Sequence, residues 1–318
     1  MRRTALAALL LVACKASATS APRPNPDASV TESAWQSPRF PARPYRVDAA
    51  DVDPGRPAPV LVALHGLGGN GAGLVEYFGL RQAAARHGLL LVVVDGTSNP
   101  DGARFWNAGG ACCDLYDQAV DDVGYLDAVL DDLALHYRVD PKRVYVVGHS
   151  NGGFMAYRYA CERSERVAAV VSLAGAGLAD VTRCQPREPV AVLQIHGDGD
   201  EIVPYAGGNF SSPELFATLK KRGFPLPPGG LHTTPFTGAH ATVAAWAARD
   251  GCSAEETGAA PIDLEARIPG SETVVTRHAG CKAGAAELWT IRGGAHVPSL
   301  RPDWAEQITT FLLAHPKP

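Results

Sequence analysis

Hydrophobic residues are arranged along this chain in two distinct patterns. Six short runs are almost wholly apolar and rich in β-branched residues, which is typical of parallel strands covered on both faces. Between them, apolar positions recur every three or four residues, most clearly over 117–137, which predicts amphipathic helices. This alternation predicts an α/β fold whose central sheet is mostly parallel, with helices on both faces. The predicted strands are 60–64, 89–94, 144–147, 167–173, 190–195 and 287–291, and the other predicted helices are 70–87, 152–162, 241–250 and 302–314.

Length and composition are typical of a folded globular domain. The chain has 318 residues, 46% of them hydrophobic and 19% charged, which is enough apolar surface for a packed core. A net charge of −4 argues against a nucleic-acid-binding protein, which would carry a basic excess. Apolar runs stay below the ~18 residues that a membrane-spanning helix needs. We predict one domain over 45–316, with a monomer as the default state.

The segment 206–240 departs from the strand–helix alternation. It is rich in Gly and Pro, and it carries Phe210, Phe216, Phe224 and Phe236. Long irregular segments of compact domains are usually functional or disordered. We therefore predict a lid or an insertion here, which could dock a polymeric substrate.

The first residues have the layout of an export signal. Two arginines precede a short apolar stretch, which predicts a signal peptide over 1–13. The sequence Leu-Val-Ala-Cys ending at Cys14 resembles a bacterial lipobox, which implies acylation of that cysteine. The alternative is an ordinary signal peptide cleaved after Ala18 or Ala21. Residues 14–44 then read as a flexible tether, and we expect a protein that is lipid-anchored at the bacterial cell envelope or secreted.

Cysteine usage agrees with export. Apart from Cys14, six cysteines remain, and an even number in an oxidising compartment predicts disulfides. The preferred pair joins Cys252 to Cys281, which flank the last segments before the C-terminal strand. A metal site is disfavoured, because no C-x-x-C pair is accompanied by a matching pair of histidines. For the remaining four cysteines two alternatives stay open. Cys112 and Cys113 either bond each other or pair separately with Cys161 and Cys184.

A glycine-rich turn after the first strong strand offers one kind of chemistry. The turn over 66–71 matches G-x-G-x-x-G, and Asp95 ends the following strand where a ribose-binding acid belongs. This pattern is typical of nucleotide-dependent oxidoreductases. It is also short and easily met by chance among 33 glycines, and an exported protein would meet little free nicotinamide cofactor.

A second motif offers another chemistry. Residues 148–152 read G-x-S-x-G between a predicted strand and a predicted helix, which is the context of a nucleophile elbow. Such a turn exposes the hydroxyl of Ser150 above the sheet and leaves the amide of Asn151 facing the same site at a helix N-terminus. A serine hydroxyl needs a histidine to take its proton and an acid to orient that histidine.

The remaining members of such a triad follow later strands. Asp198 and Asp200 come after the strand 190–195, and His296 comes after the strand 287–291. The order serine, acid, histidine is that of α/β-hydrolases, and the loops leave the carboxyl ends of strands, where open α/β sheets bind ligands. The glycine-rich turn then supplies a second oxyanion donor, the amide of Leu67, beside that of Asn151. This hypothesis explains four separate motifs, whereas nucleotide binding explains one.

Two aromatic side chains are candidates for the substrate pocket. Trp106, with its neighbour Phe105, follows the strand that ends at Asp95, and His149 directly precedes the predicted nucleophile. An ordinary packed aromatic pair is the alternative for Trp106. We expect His65, which opens the glycine-rich turn, to be structural.

The complete motif set resembles a known family. LHGLGGN, FWNAGGACC, VDDVGYL, GHSNGGFMAY, IHGDGDEIVPY and GGAH are similar to the polyhydroxybutyrate depolymerase and feruloyl esterase group of carbohydrate esterase family one, over roughly 45–315. The resemblance implies an α/β-hydrolase fold with Ser150 as nucleophile, Asp200 as acid and His296 as base, and no metal or organic cofactor. It also implies hydrolysis of polymer-linked or aromatic esters. This chain departs from the group in having Asp198 and a longer 206–240 segment.

Other functions remain open at this stage. A serine peptidase of the same fold would use the same triad, since the triad does not distinguish amide from ester. A non-catalytic binding protein on a hydrolase scaffold is a further alternative. Substrate choice depends on pocket shape, which spacing does not reveal.

Overall fold

A ten-stranded mixed sheet is the central feature of the computed structural model, which describes residues 34–36, 39–224 and 226–318. The predicted signal peptide over 1–13 and the lipidation site Cys14 lie outside the described residues. The strands are β1 (Ala34–Gln36), β2 (Arg46–Asp48), β3 (Ala58–Leu64), β4 (Leu90–Val93), β5 (Thr97–Ser98), β6 (Arg104–Phe105), β7 (Val139–His149), β8 (Ala169–Leu173), β9 (Ala191–Gly197), β10 (Gly207–Gly208), β11 (Phe236–Thr237), β12 (Glu256–Gly258), β13 (Thr273–His278) and β14 (Ala286–Ile291).

The strand order of the large sheet is β1-β2-β4-β3-β7-β8-β9-β14-β13-β12. The six central strands, from β4 to β14, run parallel, and the two outer strands on each side pair antiparallel. The pairs β5–β6 and β10–β11 form two small separate antiparallel sheets. The prediction of a mostly parallel sheet is confirmed, because each of the six predicted strands occurs within it.

The described part of the chain contains seven α-helices, six of which cover the two faces of the sheet. One face packs against α3, α4 and α6, and the other packs against α1, α2 and α7, so that alternate residues of β3 enter two different cores. All seven residues of β3 are buried, which explains its uninterrupted apolar sequence. No helix of the described part is long and apolar enough to cross a membrane. The helices are α1 (Gly71–Phe78), α2 (Leu80–His87), α3 (Asp122–His136), α4 (Asn151–Glu162), α5 (Pro213–Lys221), α6 (Ala239–Arg249) and α7 (Trp304–Ala314), with a 3₁₀ turn at Val181–Arg183.

Two predicted helices differ from the observed ones at positions that local chemistry explains. The predicted helix 70–87 divides into α1 and α2, because Gly79 adopts the left-handed conformation with φ 66° and ends α1. The predicted helix 117–137 begins later, at Asp122, where the carboxylate of Asp121 caps the helix by accepting from the amide of Gly124.

The segment 206–240 contains regular secondary structure and is not only a loop. It contains α5 and the small antiparallel sheet β10–β11, and Phe210, Leu215 and Leu219 are buried in the core. Ser212 caps α5, and Pro213 occupies its first turn, which is a standard helix start. The segment is therefore an insertion that packs into the domain.

The predicted tether is too long at its C-terminal end. Strand β1 pairs with β2 at the sheet edge, and Arg43 forms a 2.8 Å ion pair with Asp122, whose side chain is fully buried. The guanidinium of Arg43 also lies 3.7 Å from the ring centroid of Tyr125. Residues near 40 therefore belong to the folded domain, and Asp122 serves as their buried anchor rather than lying on a solvated helix face.

The six described cysteines form three disulfides. Cys252 pairs with Cys281, as predicted, and Cys161 pairs with Cys184. Cys112 and Cys113 pair with each other, which resolves the alternatives that the sequence leaves open. Three disulfides are typical of proteins that fold in an oxidising compartment.

Candidate active site

The G-x-S-x-G motif forms a sharp turn between β7 and α4. Ser150 has φ 53°, a left-handed conformation that is rare for a residue with a side chain, and its amide donates to the carbonyl of Leu173. A Cβ atom at Gly152 would collide with the carbonyl of Leu64, and one at Gly148 would collide with that of Gly152. The two glycines therefore allow α4 to begin directly against the end of β3, with Ser150 at the tip of the turn.

Three side chains from separate loops meet at this tip. Nε2 of His296 lies 2.9 Å from Oγ of Ser150, and Nδ1 of His296 lies 2.7 Å from Oδ2 of Asp200. Both contacts are in hydrogen-bonding range. Asp198 faces elsewhere, since its Oδ1 accepts from the amide of Gly293 at 2.5 Å. The structure thus places Asp200, and not Asp198, against the imidazole.

Asp200 is held as a carboxylate by four donors. Its Oδ1 accepts from the amides of Ile202 and Val203 at 2.8 and 2.9 Å, and its Oδ2 faces His296 and, at 3.3 Å, Nε2 of His196. Burial by itself would raise the pKa of Asp200, but the hydrogen bonds from the two histidines outweigh burial and hold the pKa well below its usual range. The carboxylate is therefore ionised at neutral pH.

A chain of buried polar groups supports Asp200 from behind. His196 donates through Nε2 to the carbonyl of Val203 at 2.8 Å, and its Nδ1 accepts from the amide of Gln194 at 3.0 Å. The same amide nitrogen lies 2.8 Å from the carbonyl of Gly175, and Tyr157 donates to the amide oxygen of Gln194. In the sequence His196 stands four residues before Asp200, but nothing in this spacing indicates its role.

His149 is a second supporting residue. Its Nε2 lies 2.9 Å from the backbone carbonyl of His296, and because a carbonyl only accepts, Nε2 carries the proton. Burial, with a smaller contribution from the neighbouring ring of His296, lowers the pKa of His149 to about 3, so its ring is neutral. His149 also lines the space beside Ser150, as predicted for a pocket residue. Its hydrogen bond fixes the loop that carries His296.

The variant His149→Phe is expected to lower kcat/KM for esters about fivefold, because the loss of one hydrogen bond costs about 1 kcal/mol. His149→Gln keeps an N–H donor at the same end of the side chain and is expected to retain most of the activity. Steady-state kinetics of both variants measure the difference. Equal loss in the two would mean that the hydrogen bond to the His296 loop is not what His149 contributes.

The same residue gives a pH dependence of stability. Since the folded pKa lies below the ordinary value of 6.5, the unfolded chain binds more protons between those two values. Stability is therefore lost as the pH falls from about 6.5 towards 3. Between pH 7 and 5 we expect the free energy of unfolding to fall by about 1–2 kcal/mol more in the wild type than in His149→Gln, measured by urea unfolding.

Two backbone amides are placed to hold an oxyanion. Leu67 lies in the glycine-rich turn beside Ser150, and Asn151 is the first residue of α4. Among the described residues neither amide has an acceptor, whereas the amides of Gly68 and Gly69 donate to nearby carbonyls. The N-terminus of α4 adds the positive end of the helix dipole at the same point.

Trp106 is not a pocket residue, which corrects the prediction. Its side chain is fully buried behind the turn, where the indole Nε1 donates to the carbonyl of His65 at 3.0 Å. The backbone of Trp106 exchanges two hydrogen bonds of 2.8 Å with the side chain of Asn151. Trp106 thus anchors the start of α4, and it lines neither of the spaces beside Ser150.

The space on one side of Ser150, here called the apolar cavity, spans about 400 Å³, including its opening to solvent. Ser150 is the only residue with a hydrogen-bonding side chain among the described residues that line it. Its walls come from the glycine-rich turn, the Cys112–Cys113 disulfide, the loop after Asp200 and the 206–240 insertion. The insertion contributes Phe210, Leu219, Phe224, Leu226 and Leu231.

The space on the other side, here called the open cleft, is wider and more polar. It spans about 750 Å³, including its opening to solvent, and its lining includes Asn70, Tyr77, His149 and His296. Leu67, Ser150 and Phe224 line both spaces. A molecule bound across Ser150 would therefore meet an apolar environment at one end and a wet, polar one at the other.

The residues of the glycine-rich turn that were candidates for nucleotide binding make structural contacts instead. The carboxylate of Asp95, the candidate ribose ligand, accepts from the amide of Gly71 at 2.7 Å and lies 3.5 Å from Arg104. A Cβ atom at Gly66 would lie 3.3 Å from Cβ of Ser150, so this glycine is needed for the turn to pass beside the serine. Both features are accounted for by the serine site.

Comparison with known proteins agrees with this arrangement. The chain is 36% identical over 167 residues to "Putative esterase NocK" of Nocardia uniformis subsp. tsuyamanensis, covering 52% of this chain and 47% of that protein. It is 28% identical over 243 residues to feruloyl esterase B of Piromyces equi, covering 75% of this chain and 39% of that protein. The chain therefore spans about half or less of the length of these curated relatives, whose names confirm the resemblance to the feruloyl esterase group.

A solved structure and a family profile identify the fold. An acetyl xylan esterase from Aspergillus awamori superposes with a TM-score of 0.58 at 14% identity, covering 88% of this chain and 98% of that one. At this identity the likeness speaks for the fold alone. The profile of the α/β hydrolase fold matches residues 59–219, just over half of the chain. The chain therefore belongs to the α/β hydrolase fold family.

Proposed function

We propose that this protein is a serine esterase that works outside the cytoplasm and hydrolyses carboxylic esters of a compact, largely apolar acid and a bulky alcohol. The observation that carries the proposal is the position of Ser150. Its Oγ lies 2.9 Å from Nε2 of His296 and lines both the apolar cavity and the open cleft. A hydroxyl beside a base, between two spaces of opposite character, suits the cleavage of a bond that joins an acyl group to an alcohol.

In the acylation half, Oγ of Ser150 attacks the ester carbonyl carbon while Nε2 of His296 takes the hydroxyl proton. The amides of Leu67 and Asn151 hydrogen-bond the oxyanion that forms. The carbon–oxygen bond to the alcohol then breaks, and His296 returns the proton to the departing alkoxide. The ionised Asp200 stabilises the imidazolium throughout, because its carboxylate lies 2.7 Å from Nδ1 of His296.

In the deacylation half, a water molecule replaces the alcohol in the open cleft. His296 takes a proton from this water, whose oxygen attacks the carbonyl carbon of the acyl-Ser150 ester. The bond to Oγ breaks, His296 protonates Oγ, and the carboxylic acid leaves. The enzyme returns to its starting state, and the reaction needs no co-reactant other than water.

The two spaces assign the two halves of the substrate. The apolar cavity favours the acyl group, because its enclosed walls remove apolar surface from water. The open cleft leaves room for an alcohol of any size, including one carried by a polymer, beside Asn70 and Tyr77. Acetyl and aromatic acyl groups fit this division, and so does the chain end of a polyhydroxyalkanoate.

The names of the relatives favour acyl groups carried by plant cell-wall polysaccharides. One curated relative is a feruloyl esterase, and the superposed structure is an acetyl xylan esterase. We propose feruloyl and acetyl esters first and polyhydroxyalkanoates second. The three disulfides support export, and with the predicted signal peptide over 1–13 and acylated Cys14 they favour attachment to the bacterial cell envelope.

A substrate panel tests the proposal. Purified protein is assayed with methyl ferulate, acetylated xylan, p-nitrophenyl acetate and polyhydroxybutyrate, and with a p-nitroanilide that carries the same acetyl group as the ester. We expect turnover of the first three substrates and little of the amide. Faster hydrolysis of the anilide than of its matched ester would favour a peptidase, and absence of turnover on every ester would contradict the proposal.

A further inference from the structure

A second cavity, here called the rear cavity, lies behind the apolar one. It spans about 600 Å³, including its opening to solvent, between α4, α6 and the Cys161–Cys184 disulfide. Among the described residues Phe154 alone lines both the apolar cavity and the rear cavity. This side chain is 3% exposed, and its ring is therefore a partition between two spaces.

The position of Phe154 on α4 shows which part of a substrate would meet its ring. It lies four residues after Ser150, one helical turn along α4 and on the same face of the helix, about 6 Å further along the axis. Its ring is held by edge and tilted contacts to Phe236 and Phe210, with centroids 5.5 and 6.1 Å away. An acyl chain that extends from Ser150 along α4 would therefore end against this ring.

The rear cavity is suited to an apolar chain rather than to an anion. Near Phe154 its walls include Ala176, Leu178 and Trp246. Two of its three arginines have partners: Arg158 pairs with a carboxylate of its own helix, and Arg249 donates to backbone carbonyls. The third, Arg183, is exposed to solvent. The space beyond the partition would thus bury methylene groups without leaving a charge unpaired.

We infer that Phe154 is the residue that limits the length of the acyl group, an inference that rests on the proposed esterase function. The ring closes the apolar cavity to acyl chains longer than it can hold and keeps the rear cavity out of use. Shortening this side chain would join the two cavities and convert a short-acyl esterase into one that also accepts long acyl chains. The change concerns acyl length and leaves the triad untouched.

The test compares p-nitrophenyl acetate, butyrate, octanoate and dodecanoate in the wild type and in Phe154→Ala. The wild type is expected to prefer the two short esters. In Phe154→Ala the ratio of kcat/KM for octanoate to that for acetate is expected to rise at least about tenfold, since even one methylene in an apolar pocket discriminates by this factor. Phe154→Leu and Phe154→Val give a graded series that remains informative if the alanine variant folds poorly.

Phe311→Ala is the matched control. Phe311 lies on α7, is 6% exposed, packs in the core on the other face of the sheet and lines neither cavity. Its loss removes a buried ring of the same size and should leave the octanoate-to-acetate ratio unchanged. An unchanged ratio in folded Phe154 variants, or an equal rise in Phe311→Ala, would overturn the inference while esterase activity persists. A wild type without turnover on any chain length would instead contradict the proposed function and the inference together.

Discussion

Replacing Ser150 by alanine is expected to lower kcat for p-nitrophenyl acetate by at least about 10⁴-fold, as in other enzymes that lose the nucleophile of a serine triad. The reason is geometric, because Oγ of Ser150 is the group that Nε2 of His296 contacts at 2.9 Å, between the apolar cavity and the open cleft. Without this oxygen the acyl-enzyme cannot form. Steady-state assays of both proteins, with circular dichroism to verify folding, measure the effect.

A second serine provides the control for this substitution. Ser172 on β8 is fully buried, and its hydroxyl has no hydrogen-bond partner among the described residues. Ser172→Ala removes the same atom from the same domain and is expected to keep nearly all activity. Wild-type turnover in folded Ser150→Ala would show that another residue attacks the ester.

Replacing Asp200 by asparagine is expected to reduce kcat about 10⁴-fold, the size of effect seen when the triad acid of a serine protease becomes an amide. The amide lacks the charge that stabilises the imidazolium, and its NH₂ group favours the wrong tautomer of His296. It would also place a donor opposite His196, which lies 3.3 Å from the carboxylate.

Asp198→Asn is the matched control for the acid, since the same change is made two residues away. Its Oδ1 accepts from the amide of Gly293, a bond that an asparagine oxygen can also accept. We expect less than about a tenfold change in kcat, because one neutral hydrogen bond contributes about 1 kcal/mol. A larger loss in Asp198→Asn than in Asp200→Asn would overturn the acid assignment.

The central sheet could be predicted from sequence because its strands are buried on both faces. The run over 60–64 is apolar throughout, since both faces of β3 enter a core. The outer strands give no such signal. Strand β12 is exposed at all three residues and is defined by its pairing with β13, and β1 and β2 are equally short. Such strands depend on a partner far along the chain, which local patterning does not contain.

The predicted triad residues could be found for a different reason. Each follows a strand of the parallel sheet, and the carboxyl ends of such strands meet at one edge, so chain order alone brings Ser150, Asp200 and His296 together. The supporting residues have no comparable signal in the sequence. His149 acts through a hydrogen bond to a backbone carbonyl, which any sequence supplies, and His196 acts through its contact with Asp200, which tertiary packing sets.

Pocket residues were the least predictable part. Trp106 lies in a promising place along the chain, yet its indole points to the carbonyl of His65 and away from substrate. The walls of the apolar cavity come from the 206–240 insertion, whose Phe210 and Phe224 reach Ser150 only through the packing of α5. Side-chain direction over such distances is decided by tertiary packing rather than by local sequence.

The most direct test of the account is to map the residue that becomes covalently modified. The protein is treated with a fluorophosphonate, which reacts with activated serines, and is then digested and examined by peptide mass spectrometry. The account predicts one adduct per chain, on Ser150, that forms in step with loss of esterase activity and is absent from Ser150→Ala. An adduct on a different residue that tracks the loss of activity, or full inhibition without modification of Ser150, would contradict it.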